Sequence, residues 1–217
     1  MHIQYYGLGC VKMTTKPGGR GAEDVVIVAN PFARSGELRP PQLANVDIVM
    51  VSAAGDGYTS DAVAKSEAVV LDMPGEYAVR GIQAVGVAVP DTEGAARVTM
   101  FVCEVEGLKV VIMAGVGGKL SGAQFDELTD VDVLVMPVGG GDALGAEAAA
   151  EIVRKVEPSF VVPVQFRIDG ASETAKYAPL ADFCAVLGNN PTEMQVKFNV
   201  KKADCEGVVN QVVGLSV

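Results

Sequence analysis

The sequence predicts an α/β protein: one domain, residues 1–217, of sheets covered by helices. Three observations carry this. Five short apolar runs are continuous rather than alternating, the pattern of strands buried on both faces. The stretch 97–105 alternates, as an antiparallel strand with one less buried face does. Amphipathic helical segments are few and interspersed among the strands, which favours helices packed on sheets.

In chain order the continuous runs are 24–29, 46–51, 108–113, 131–136 and 160–164. Glu106-Gly107 reads as a hairpin turn between the alternating strand and the run from Leu108. The clearest helix spans 143–156. It sets Ala146, Ala149, Ala150, Val153 and Val156 on one face and Glu147, Glu151, Arg154 and Lys155 on the other. Asp142 is its expected N-cap, Glu151 and Lys155 form a favourable i,i+4 pair, and Pro158 prevents continuation. A second helix is expected over 176–187, ended by Gly188, with shorter ones over 121–128 and 59–65. The segments 18–21 and 169–172 read as surface loops, and Glu76-Tyr77 as a Pro-Gly turn entering a strand. No linker, repeat or low-complexity tract interrupts the chain.

Composition narrows the function. Apolar residues make up 49% of the 217 and charged ones 20%, with mean hydropathy +0.30, so a large core and an oligomer interface are expected. No apolar run reaches the roughly 18 residues of a membrane span. The first residues lack a basic region followed by an apolar stretch, so a cytoplasmic protein is expected. A net charge of −10 disfavours nucleic acid and anionic membranes as partners. Cys10, Cys103, Cys184 and Cys205 are scattered, and the single histidine, His2, lies far from all but Cys10 in sequence. They read as buried small hydrophobes rather than thiol nucleophiles.

Loops of small residues follow the buried runs: Asn30-Pro31, 52–57, 114–118 and 138–142, with Gln165 closing the run 160–164. Ligands of α/β proteins bind outside the carboxyl ends of strands, so these loops are where a site belongs. They hold little chemistry. Gly117-Gly118-Lys119-Leu120 lacks the spacing and the Ser or Thr of a phosphate loop. Asp56, Asp91 and Asp142 could rebuild a carboxylate site for a hard cation, although aspartates more often serve turns and caps.

Several segments occur in an order shared with a known family: Tyr6-Gly7-Leu8-Gly9-Cys10, Asn30-Pro31-Phe32, Met73-Pro74-Gly75-Glu76-Tyr77, Ala114-Gly115, Met136-Pro137-Val138-Gly139-Gly140, and Glu157-Pro158 leading to Val162-Pro163. In this order the chain resembles the small metallo-β-lactamase-fold hydrolases, in the branch that includes ascorbate-phosphate lactonase-like proteins. The resemblance covers nearly the whole chain. It implies an αββα four-layer sandwich, two mixed sheets face to face with helices outside. It also locates the metal site. The family's Thr-His-x-His-x-Asp-His motif falls without a gap on 52–58, so its ligand positions hold Ala53, Gly55, Gly57 and Tyr58. The next ligand position falls at Pro90, the bridging carboxylate at Val116 and the last histidine at Gln165, while Asn30 stands in the outer-shell turn.

Ala, Gly, Val and Pro coordinate nothing, and neither Tyr nor Gln normally anchors zinc, which needs about three His or carboxylate ligands and an open position. The expectation is therefore a non-catalytic protein with no catalytic residue, metal or cofactor, structural or self-assembling as a homo-oligomer or higher assembly. Two alternatives remain: a lactonase- or phosphoesterase-type hydrolase with an atypical site, and a module holding a small ligand in the vacated pocket.

Overall fold

The computed structural model describes residues 1–19, 21–95, 97–189 and 193–217; Arg20 of the expected 18–21 loop lies outside them. The first sheet is built from β1 (His2–Gly7), β2 (Cys10–Thr15), β3 (Val25–Ala29), β4 (Ile48–Met50), β5 (Val69–Leu71) and β12 (Phe198–Asn199), in the order β12-β1-β2-β3-β4-β5. The second contains β6 (Gly75–Val79), β7 (Ile82–Val89), β8 (Val98–Val105), β9 (Leu108–Ile112), β10 (Val133–Pro137), β11 (Phe160–Val164) and β13 (Gln211–Val212), in the order β13-β11-β10-β9-β8-β7-β6. Both sheets are mixed. In the first, β1, β2 and β3 are antiparallel and β3, β4 and β5 parallel. In the second, β6 to β9 form an antiparallel meander and β9, β10, β11 and β13 run parallel. The helices are α1 (Asp61–Ala64), α2 (Gly122–Asp126), α3 (Ala146–Val156) and α4 (Leu180–Leu187).

The two sheets face each other across one core in which Met13, Ile27 and Met50 meet Phe101, Cys103 and Ile112. A second apolar layer covers the outer face of the first sheet, where Cys10, Val28 and Val49 pack with Phe32, Leu38 and Val63. Helix α3 buries Ala149, Ala150, Ile152 and Val153, and packs against α4. Among the described residues no helix is long and apolar enough to cross a membrane. All four cysteines are buried and unpaired.

The apolar runs became strands within a residue or two, but several local expectations fail for non-local reasons. The strand Val98–Val105 is buried on both faces except at Glu104, because β7 and β9 flank it and both core and outer layer press on it. Helix α3 begins at Ala146 with Gly145 as N-cap, not at Asp142, because Gly140 and Leu144 close a loop by a backbone bond first. Lys155 lies over the Phe125 ring instead of meeting Glu151. The expected 176–187 helix starts only at Leu180, since Pro179 disfavours helical backbone in the residue before it. The Glu106-Gly107 hairpin is as expected, with both residues at positive φ, 52° and 75°.

That hairpin holds a pH-sensitive anchor. The Glu106 carboxylate accepts hydrogen bonds from Thr15 Oγ1 at 2.6 Å, Lys16 N at 2.5 Å and the Met1 ammonium at 2.9 Å. Partial burial acts to raise its pKa, but these bonds and the ammonium charge outweigh it and bring the carboxyl down to about 2. A folded pKa below the unfolded one stabilises above the unfolded value and loses that contribution as pH falls through the folded value. Glu106→Gln is therefore expected to melt lower than the native protein at pH 6 to 7, with the difference closing between about pH 4.5 and pH 2. Thermal melts of both proteins across that range check this; a difference that does not depend on pH would contradict it.

Candidate functional site

The carboxyl ends of the central strands bring five loops together. Residues 52–58 follow β4, 114–118 follow β9, 138–142 follow β10, and Gln165 ends β11. Leu8 lies in the turn between β1 and β2, and its carbonyl accepts from both Gln165 N at 2.8 Å and the Tyr5 hydroxyl at 2.9 Å. Leu8, Asn30 and Gln165 all adopt left-handed backbone, with φ of 49°, 52° and 51°. That region is uncommon for residues other than glycine. Here tertiary hydrogen bonds hold it.

Gln165, 1% exposed, is the hub. Its Oε1 accepts from Gly115 N at 2.8 Å, and its Nε2 donates to the hydroxyls of Tyr58 at 3.1 Å and Tyr177 at 3.3 Å. The Tyr177 hydroxyl in turn donates to Asp142 Oδ1 at 2.9 Å, and Lys176 Nζ donates to Asp142 Oδ2 at 2.7 Å. The result is a continuous chain from the β9 loop through Gln165 and Tyr177 to a surface ion pair. The Tyr58 ring packs against Gly115. A side-chain carbon there would fall 2.9 Å from the ring, and φ is +83°, so the close approach requires glycine. Burial, then the charge of Asp142, pushes the Tyr58 phenol up to about 12 despite the bond from Gln165. Burial likewise raises Tyr177. Both are neutral hydroxyls at physiological pH.

The other expected site residues fall around this hub with different degrees of involvement. Val116 is fully buried, and its carbonyl accepts from Leu144 N at 2.8 Å. Pro90 adjoins it, since its carbonyl accepts from Gly117 N and Gly118 N. Asn30 is fully buried; its Oδ1 accepts from Ser52 N at 2.8 Å and its Nδ2 donates to Gly9 O at 3.3 Å, tying the β1–β2 turn to the loop after β4. Ala53 packs partly buried between the two apolar layers. Gly55 is exposed, and with Gly57 it shapes the bend that delivers Tyr58. What remains open is a cleft of about 210 Å³ lined by Ser35, Asp56, Tyr58, Asp142, Lys176 and Tyr177.

The three candidate carboxylates do not converge. Asp56 and Asp142 border the same cleft, but Asp142 is engaged as described, and Asp91 Oδ1 accepts from Glu93 N and Ala95 N within its own turn. Among the described residues no group of three or more His, Cys, Asp or Glu side chains could hold a metal ion. Sequence reasoning missed Tyr177 and Lys176 by assigning them to a helix, and gave Asp142 a capping role it does not have. Pro179 was the available signal that they precede the helix.

Comparison with known proteins agrees with this architecture. The sequence profile of the beta-lactamase superfamily domain matches residues 2–165. A UPF0173 metal-dependent hydrolase of Natranaerobius thermophilus is 25% identical over 193 residues, covering 76% of this chain and 83% of that protein. Among solved structures, one from Thermotoga maritima, assigned to the zinc-dependent hydrolases of the metallo-β-lactamase superfamily, aligns over the whole of both chains with a TM-score of 0.77 and 24% identity. The metallo hydrolase Igni18 of Ignicoccus hospitalis aligns over 92% of this chain and 99% of its own, with a TM-score of 0.65 and 16% identity.

Proposed function

The chain belongs to the beta-lactamase superfamily, a metallo-β-lactamase-fold family of metal-dependent hydrolases, and on that premise we propose that it is a non-catalytic member that has exchanged metal ligands for a hydrogen-bonded plug and serves as a scaffold. The observation that carries this reading is the saturation of Gln165. Its amide oxygen is held by Gly115 and its amide nitrogen by two tyrosines, so neither turns toward an ion. The donor set supports it as well. A zinc ion does not fit Ala53, Gly55, Gly57, Val116 and Pro90, which offer it no side-chain donor, and the Tyr58 hydroxyl stays protonated. Clearing the whole cluster avoids the cost of leaving desolvated polar groups unpaired, about 1–3 kcal/mol each and more for charges.

The ligand-binding alternative is weaker on size. A cleft of about 210 Å³ falls below the roughly 300–1,000 Å³ of small-molecule pockets. The purified protein is expected to carry no stoichiometric zinc, manganese or iron by elemental analysis. It should show no EDTA-sensitive turnover of phosphoesters or lactones, and its melting temperature should be unchanged by EDTA. Stoichiometric metal with turnover that EDTA abolishes would overturn the reading in favour of a hydrolase with an atypical site.

A further inference from the structure

Residues 30–47 join β3 to β4, and the stretch 34–42 within them is held by side chains alone. Among the described residues, no backbone N–H or C=O of 34–42 bonds to another backbone group. Arg39 Nη1 donates instead to the carbonyls of Gly36 and Glu37, each at 2.8 Å, and of Leu38 at 3.2 Å, folding 36–39 into one compact turn. Backbone bonds resume on either side. Ala33 N donates to Asp56 O at 2.7 Å, and Leu43, buried, accepts from Val46 N at 3.3 Å.

Two carboxylates clasp this turn to Ser172 and Glu173, across 135 positions of chain. Glu37 Oε2 accepts from Ser172 N at 3.2 Å and Ser172 Oγ at 2.9 Å, while Glu173 Oε1 accepts from Leu38 N at 3.1 Å. Each side thus supplies the carboxylate that the other side's amide needs. Ser172 Oγ also lies 3.5 Å from Glu173 Oε2, so two carboxylates stand around one hydroxyl whose single proton serves one of them at a time. Like charges so placed oppose the closure they make. Leu38 seats the turn. Its side chain is 5% exposed and packs on Gly7, where a side-chain carbon would fall 2.6 Å from Leu38 Cδ1 and φ is +101°.

We propose that 34–42 is a latched strap, which closes one side of the tyrosine-lined cleft and opens as a unit between Ala33 and Leu43 when the Glu37–Glu173 clasp parts, with the sandwich intact. Ser35 and Glu173 line the cleft beside Tyr58, Asp142 and Lys176. The open strap carries Ser35 away and releases Glu173, so the cleft of about 210 Å³ widens from that side. Glu37 and Ser172 are both exposed, so water competes for the clasp. Segments with few backbone bonds and exposed polar attachments lie at the low end of local stability, from which lids are drawn. None of these contacts involves Gln165, Tyr58 or Tyr177, so the strap goes beyond the non-catalytic reading and does not depend on it.

Hydrogen exchange at single amides of the full chain, read by NMR, tests it. The Leu38 and Ser172 amides are expected to open together, with protection within about threefold of each other and about a hundredfold or more below that of Met113. The Met113 N–H is bonded within the second sheet, to Val135 O at 2.8 Å. Ala33, as an anchor, should be better protected than Leu38. Glu37→Ala removes the acceptor of Ser172 only, yet should speed exchange at Leu38 by about tenfold or more; Glu173→Ala should do the same at Ser172. Continued protection of Met113 shows that each variant is folded. Leu38 as protected as Met113 would mean that only global unfolding parts the clasp, which overturns the strap. Variants that each speed only the amide they bond directly overturn it too, since the contacts are then independent. So does Ala33 exchanging as fast as Leu38, because the whole β3–β4 connection then opens rather than a strap between anchors.

Discussion

Val116→Asp is expected to cost the fold about 3–5 kcal/mol, and added zinc is expected to return none of it. Val116 is fully buried beneath Pro90 and Leu144, whose backbones bond to its own loop. Aspartate at this position, where the family resemblance places a bridging carboxylate, would bring a charge into the core with no cation or donor to meet it. An uncompensated buried charge is among the most costly single changes known. At about 2–4 °C per kcal/mol for a chain of this size, the melting temperature should fall by roughly 6–20 °C. A ligand that binds only the native state raises stability in proportion to the logarithm of its concentration over Kd. Melting with increasing zinc therefore separates the readings: an unchanged low Tm supports a site without enough donors, and a zinc-dependent recovery would show that the surrounding residues can still complete one.

Gln165→Leu is expected to cost about 2–4 kcal/mol, although leucine is apolar and close in size. The loss comes from what the amide leaves behind. The Gly115 N–H loses its acceptor in the interior, and the Tyr58 and Tyr177 hydroxyls lose their shared donor. Each buried orphan costs about 1–3 kcal/mol, partly relieved by rearrangement. Tyr177→Phe should cost less, about 1 kcal/mol, because it removes only the outer link. Because the links form one network, the double variant should be less damaging than the sum of the single ones. Urea denaturation of the three variants measures this. A Gln165→Leu loss below about 0.5 kcal/mol would mean that the amide is not the keystone described above.

Strand positions were legible because central strands of a mixed sandwich are buried on both faces, and that leaves continuous apolar runs such as 131–136 and Phe160–Val164 in the sequence. The positions where the family resemblance expects metal ligands could be named too, from residue identity alone. Their contacts could not. Gln165 meets Tyr58 across 107 positions of chain, and Asp142 is drawn from helix capping to Lys176 and Tyr177, 34 and 35 residues away. The left-handed backbones of Leu8 and Gln165 were equally invisible, because neither residue favours that conformation by itself. They are imposed by the bonds that close the site.

The four buried cysteines make this protein its own reporter of motion. Burial raises the pKa of every thiol, so in the folded state none is a ready nucleophile toward an alkylating reagent. Modification must wait for an opening, and each thiol samples a different layer. Cys10 belongs to the outer layer of the first sheet, Cys103 to the space between sheets, Cys184 to α4 and Cys205 to the segment before β13. The order in which a mild reagent marks them is then a map of which layer parts first, obtained without introducing a single label.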